Sequence, residues 1–100
     1  GHGRVRYALD DFPAAERALG EALDLYRALD DRRGQADVLT LLGDTRRLAT
    51  DCTGAAQVLE QALDLTRASG DRYGQADALS ILGGVLSRIG EHGRAERCQR

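Results

Sequence analysis

The stretch from Ala22 to Glu60 is written out a second time forty residues later, and nothing else in the chain narrows its fold so far. Leu23, Asp31, Gly34, Ala36, Asp37, Leu39, Leu42 and Gly43 return as Leu63, Asp71, Gly74, Ala76, Asp77, Leu79, Leu82 and Gly83, and Ala15 returns as Ala55 and again as Ala95. A period of this size marks an array in which each unit covers the hydrophobic face that its neighbour cannot bury alone. In such an array function belongs to the surface that stacking creates, not to a catalytic pocket.

The copies are built from helices. Apolar residues recur at steps of three and four from Phe12 to Leu29, through Ala36, Leu39 and Leu42, from Ala55 to Leu63, and through Ala76, Leu79, Leu82 and Leu86, whereas no segment alternates as a strand would. With 42% hydrophobic but only 4% aromatic residues, and neither Trp nor Met, the interior must be Leu, Ala, Val and Ile, which suits closely packed helices. The spacing predicts helices at 12 to 29, 33 to 49, 52 to 69 and 73 to 89, with a partial helix at 3 to 10 and a last stub at 92 to 100. Asp11, Asp51 and Glu91 are expected as caps for one helix of each unit and Asp31 and Asp71 for the other. Pro13, Thr53 and Gly93 then fall in first turns. Gly70 and Gly90 are expected as left-handed C-terminal stops. Gly43 and Gly83, with Gly3 in the same register, lie inside helices at about 1 kcal/mol each relative to Ala. Close approach to Ala15, Ala55 and Ala95, small residue against small, is the expected offset.

Composition excludes several partners. Fourteen basic against sixteen acidic residues give a net charge of −2, which speaks against a nucleic-acid backbone or an anionic membrane as the partner. The arginine clusters at Arg32, Arg33 and Arg72 and at Arg46 and Arg47 are flanked by Asp and lack aromatic neighbours for stacking on bases. The longest apolar run, Val38 to Leu42 interrupted by Thr40, is too short to span a bilayer, and no signal peptide opens the chain, so a cytoplasmic protein is expected. Cys52 and Cys98 make no disulfide framework and are expected as free, buried thiols. Cys52 and His92 share a repeat phase, which sets them about 9 to 10 Å apart on neighbouring units, too far for shared ligation. No metal, cofactor or enzymatic activity is expected. Both ends cut through a repeat and no initiator Met is present, so the chain reads as an excerpt of a larger protein, with Gly1 and His2 a tag remnant. Its partition is a partial repeat at 1–35, a repeat at 36–75 and a partial repeat at 76–100.

Leu39, Leu42, Gly43, Ala55, Leu59 and Ala62 resemble the motif of the tetratricopeptide repeat, as do Leu79, Leu82, Gly83, Leu86 and Ala95 after them and Gly3, Ala15, Leu19 and Ala22 before. The resemblance covers essentially the whole chain. It implies an all-α fold, a right-handed superhelical stack of antiparallel helix pairs. Two features depart from the usual pattern: Arg27 and Arg67 replace a Pro near the end of the second helix, and the unit is six residues longer than the standard 34. With Asp-Arg-x-Gly-Gln-Ala-Asp between units, this extended form looks like the subtype of kinesin light chains, spindle-orientation adaptors and bacterial multidomain regulators. Arg46 stands where an apolar side chain is usual, so the core is expected to thin there.

In that family the first helix of each pair lines a concave groove that holds peptides or partner segments. Carried over by position, the groove residues are Asp37, Thr40, Asp44 and Arg47, then Asp77, Ser80, Gly84 and Arg88, with Arg4 and Tyr7 at the incomplete start. The Lys and Asn of a carboxylate clamp are absent, since Thr40, Asp44, Ser80 and Gly84 hold those places. A groove acidic at one end and Arg-bearing at the other fits a partner of mixed charge. The same pattern also fits plain helix solvation, with Asp near helix starts and Arg near helix ends complementing the macrodipole. The resemblance thus implies a protein-interaction scaffold within a bacterial regulatory or signalling protein. An architectural spacer, or a homo-oligomer formed through exposed repeat ends, is the alternative.

Overall fold

In a computed structural model of the chain, the described residues are 12–99, with side chains described to Glu91. Four helices follow one another: α1 (Phe12–Ala28), α2 (Arg32–Leu48), α3 (Cys52–Ser69) and α4 (Arg72–Gln99). No strand occurs among the described residues. The expected helix at 3–10, Gly3, and the cap at Asp11 lie outside the described residues, as do the side chains of His92, Gly93, Ala95 and Cys98.

One local device makes every junction between these helices. Asp30, Thr50 and Gly70 take left-handed backbone conformations, with φ of 56°, 66° and 71°. At each, two hydrogen bonds close the preceding helix. Asp30 N–H donates to the Arg27 carbonyl and Asp31 N–H to Tyr26, Thr50 to Arg47 and Asp51 to Arg46, Gly70 to Arg67 and Asp71 to Thr66, all within 2.8–3.2 Å. This is the paired-bond stop that satisfies orphan carbonyls. The Asp that ends one helix then starts the next: the carboxylates of Asp31, Asp51 and Asp71 accept from Gly34, Gly54 and Gly74 N–H at 2.9, 3.0 and 3.0 Å. Glycine at that third position leaves room for the carboxylate, because a Cβ on Gly54 or Gly74 would run into the capping Asp.

The expected fourth break does not occur. Gly90 is not a left-handed stop and Glu91 begins no new helix; α4 continues unbroken to Gln99. The Asp-x-x-Gly signature of the three real junctions is Glu91-x-x-Arg94 here. Glu is a poor N-cap and no glycine stands ready to receive it, so helical propagation prevails.

Short connections make successive helices antiparallel. Helix α3 is the centre, with Ala55, Leu59 and Ala62 fully buried against Val38, Leu39 and Leu42 of α2 and Ala78, Leu82 and Val85 of α4. Each such Leu contributes about 1.5–3 kcal/mol on burial. α2 also meets α1 and α4. The result is a two-layered slab of 46 × 37 × 20 Å, with α2 and α4 side by side in one layer and α1 and α3 in the other.

The crossing at Gly43 differs from expectation. The space where its Cβ would stand is taken by Leu59, with Cγ and Cδ2 at 2.5 and 2.6 Å, so a large side chain rather than Ala55 fills the notch. Its copy Gly83 has nothing within 4 Å of that point. Leu79 and Leu86 beside it are 47% and 49% exposed, because no outer helix folds over that face among the described residues.

A trough between the inner helices as the candidate binding site

The layer formed by α2 and α4 carries a shallow cavity of about 310 Å3. Asp37, Thr40 and Leu41 wall it from α2, Gly74 and Asp77 from α4, and Ala36 and the buried Thr66 of α3 complete the lining. Three residues expected in the groove, Asp37, Thr40 and Asp77, are therefore brought together. Thr40 Oγ1 donates to the Ala36 carbonyl at 2.9 Å, which spends its hydrogen and leaves only acceptor capacity toward the trough. Thr66 is likewise satisfied, donating to the Leu63 carbonyl at 3.0 Å.

Asp37 and Asp77 differ from every other polar group here in having no hydrogen-bond or ion-pair partner among the described residues. Both are exposed. Each is the sixth residue of its helix, and neither helix has an acidic residue in its first turn. Favourable interaction with a helix dipole fades within that turn, so the dipole gives these carboxylates little reason to be there.

The remaining groove candidates lie farther off. Asp44 and Arg47, one turn apart on α2, satisfy each other, with Arg47 Nη2 and Nε donating to Asp44 Oδ1 at 2.6 and 3.0 Å. Arg47 is thus not a free cation. Ser80, Gly84 and Arg88 are exposed on α4; Arg88 stands in the register of the exposed Leu48, one residue past the position equivalent to Arg47. Arg4 and Tyr7 fall outside the described residues. Sequence reasoning missed Leu41, 54% exposed in the trough wall. Its signal was the step of four from Asp37, which sets it on the same face.

A second concavity of about 510 Å3 lies on the opposite layer between α1 and α3, floored by Leu23, Leu39, Leu42 and Val58. Arg46, the expected weak point of the core, closes one end of it. Its Nε and Nη2 donate to Glu16 Oε2 and Oε1 at 2.8 and 3.1 Å, and Nη1 to the Gly54 carbonyl at 3.2 Å. The fork ties α2 to both α1 and α3. The hydrogen bond to Glu16 raises the Arg46 pKa against the opposing effect of burial.

Among the described residues no group of three or more His, Cys, Asp or Glu could hold a metal ion, and Cys52 is a half-buried free thiol. No helix of the described residues is long and apolar enough to cross a membrane. The family model for the tetratricopeptide repeat matches residues 1–68. No curated protein and no solved structure matches the chain.

Proposed function

Because this chain belongs to the tetratricopeptide repeat family, whose repeats generally mediate protein–protein interaction and typically act as non-catalytic scaffolds, we propose that it binds a peptide or partner segment in the trough between α2 and α4. The observation that carries this reading is the pair of unpartnered carboxylates, Asp37 and Asp77, flanking the half-exposed Leu41. Neither carboxylate has a partner among the described residues and Leu41 keeps 54% of its surface exposed, so all three are accessible to a ligand. The Asp-Arg-x-Gly-Gln-Ala-Asp junction further supports placing the chain among cytoplasmic bacterial regulatory or signalling proteins, and no nucleic-acid or membrane contact is proposed.

Selection of a displayed random-peptide library on the immobilised chain tests the trough. Enriched peptides are expected to lose binding to Leu41→Arg, in which the new side chain fills the trough and pairs with the carboxylates. Unchanged binding to that variant would remove the trough as the site.

A second reading, self-association, is favoured by the open notch at Gly83 between the exposed Leu79 and Leu86. In the preceding unit the same register is covered by α3, so an Ala- and Leu-bearing helix of another copy is the fitting occupant. Light scattering over a range of concentrations decides it: a constant monomer mass would dismiss this reading.

A further inference from the structure

Taking the trough as the binding surface, we infer that its ligand is an extended polyproline-like segment lying across α2 and α4, with basic side chains three residues apart, one on Asp37 and the next on Asp77. The spacing follows from the repeat. The two carboxylates hold the same register in successive units and line one cavity, so they are separated by about one interhelical distance, roughly 8–10 Å.

That separation selects a backbone. A polyproline helix rises about 3.1 Å per residue with three residues per turn, which returns a side chain to the same side after about 9 Å. A β-strand puts residues i and i+3 on opposite faces, and its i, i+2 pair spans only about 7 Å. An α-helix rises only about 1.5 Å per residue, so same-face residues three or four apart are separated by about 4.5–6 Å along its axis, short of the gap. One metal ion cannot bridge carboxylates so far apart.

The charge follows from the lining, in which Asp37 and Asp77 are the charged residues. The guanidinium groups of Arg46 and Arg47 are engaged by Glu16 and Asp44, whereas Asp37 and Asp77 meet no cation among the described residues. Leu41 between them offers apolar surface to the aliphatic stem of an Arg or Lys whose head reaches a carboxylate. A preformed polyproline backbone also loses little entropy on docking.

The probes are fluorescent proline-rich peptides carrying two arginines at i and i+2, i+3 or i+4, with a citrulline version of the i, i+3 peptide, measured by anisotropy. The i, i+3 peptide is expected to bind tightest and to weaken with salt. Asp37→Asn and Asp77→Asn should each reduce its affinity about two- to fivefold, and the double variant should erase the preference for spacing. Both side chains are exposed and unpartnered, so unchanged helical circular dichroism is expected of these variants. Equal binding of all spacings, of the citrulline peptide, or of spermidine in competition would overturn the inference, as would indifference to the double variant. Library-selected peptides that lack basic residues yet fail on Leu41→Arg would overturn the cationic spacing while leaving the trough as the site. If no peptide responds to Leu41→Arg, both readings fall.

Discussion

Gly43 and Gly83 are the same residue in successive copies, yet their surroundings give opposite expectations for one substitution. At Gly43 an added methyl meets the branch point of Leu59, which cannot swing aside as a flexible chain end would. Overpacking of about 1–3 kcal/mol then outweighs the gain of up to about 1 kcal/mol in helix propensity. At Gly83 the methyl meets open space, and only the propensity gain remains. Urea denaturation should therefore show Gly43→Ala destabilised and Gly83→Ala stabilised by up to about 1 kcal/mol; a common sign would mean that the two positions are alike, both open if stabilised and both filled if destabilised. The sequence marked both positions as unusual but could not tell them apart, because the difference lies in which helix comes back to cover them. The family resemblance, carried over by position, pointed to Asp37 and Asp77, and both line the trough. Their freedom from partners was not legible, since the neighbouring Asp44 and Arg47 satisfy each other and the sequence does not show it. Leu41 was lost for another reason: an apolar residue in a helix of this period reads as core until its neighbours are known.

At the scale of the element, the helices were readable because periodicity and Asp caps agreed, and the one error shows which signal carried the boundary. Glycine alone does not mark a stop: Asp30 and Thr50 turn left-handed as readily as Gly70, while Gly90 stays helical. What the three turns share is an Asp immediately after the left-handed residue and a Gly three further on, which makes the end of one helix and the start of the next a single cooperative unit. Replacing the shared Asp removes the acceptor for an N–H inside the first turn of the next helix. Asp51→Ala and Asp71→Ala are each expected to cost about 0.5–2 kcal/mol. Glu91→Ala, at the position where the signature fails, should change stability by less than about 0.5 kcal/mol. Thermal melts of the three variants check this, and a Glu91→Ala loss as large as the others would restore a cap there.

Over the whole molecule, the contacts between helices define an order of dependence. Among the described residues, helix α3 packs on α2 and α4, α2 touches all three others, and α1 packs on α2 alone. In an array held by nearest-neighbour interfaces, the member with one interface opens at the lowest free energy. Amides of α1 should accordingly exchange with solvent through smaller openings than those of α3. The Glu16–Arg46 pair is the polar part of that single interface, with side chains 34% and 26% exposed. A partly exposed pair of this kind contributes about 0.2–1 kcal/mol. Arg46 also bonds the Gly54 carbonyl, so Arg46→Met perturbs α3 as well as α1, whereas Glu16→Gln acts on α1 alone. Hydrogen exchange on Glu16→Gln should then show lowered protection through α1 with α3 unchanged, and a double-mutant cycle with Arg46→Met should return a coupling of about 0.2–1 kcal/mol. Equal loss in α1 and α3 would mean that the four helices unfold as one unit and that the arginine fork does not set the order of opening.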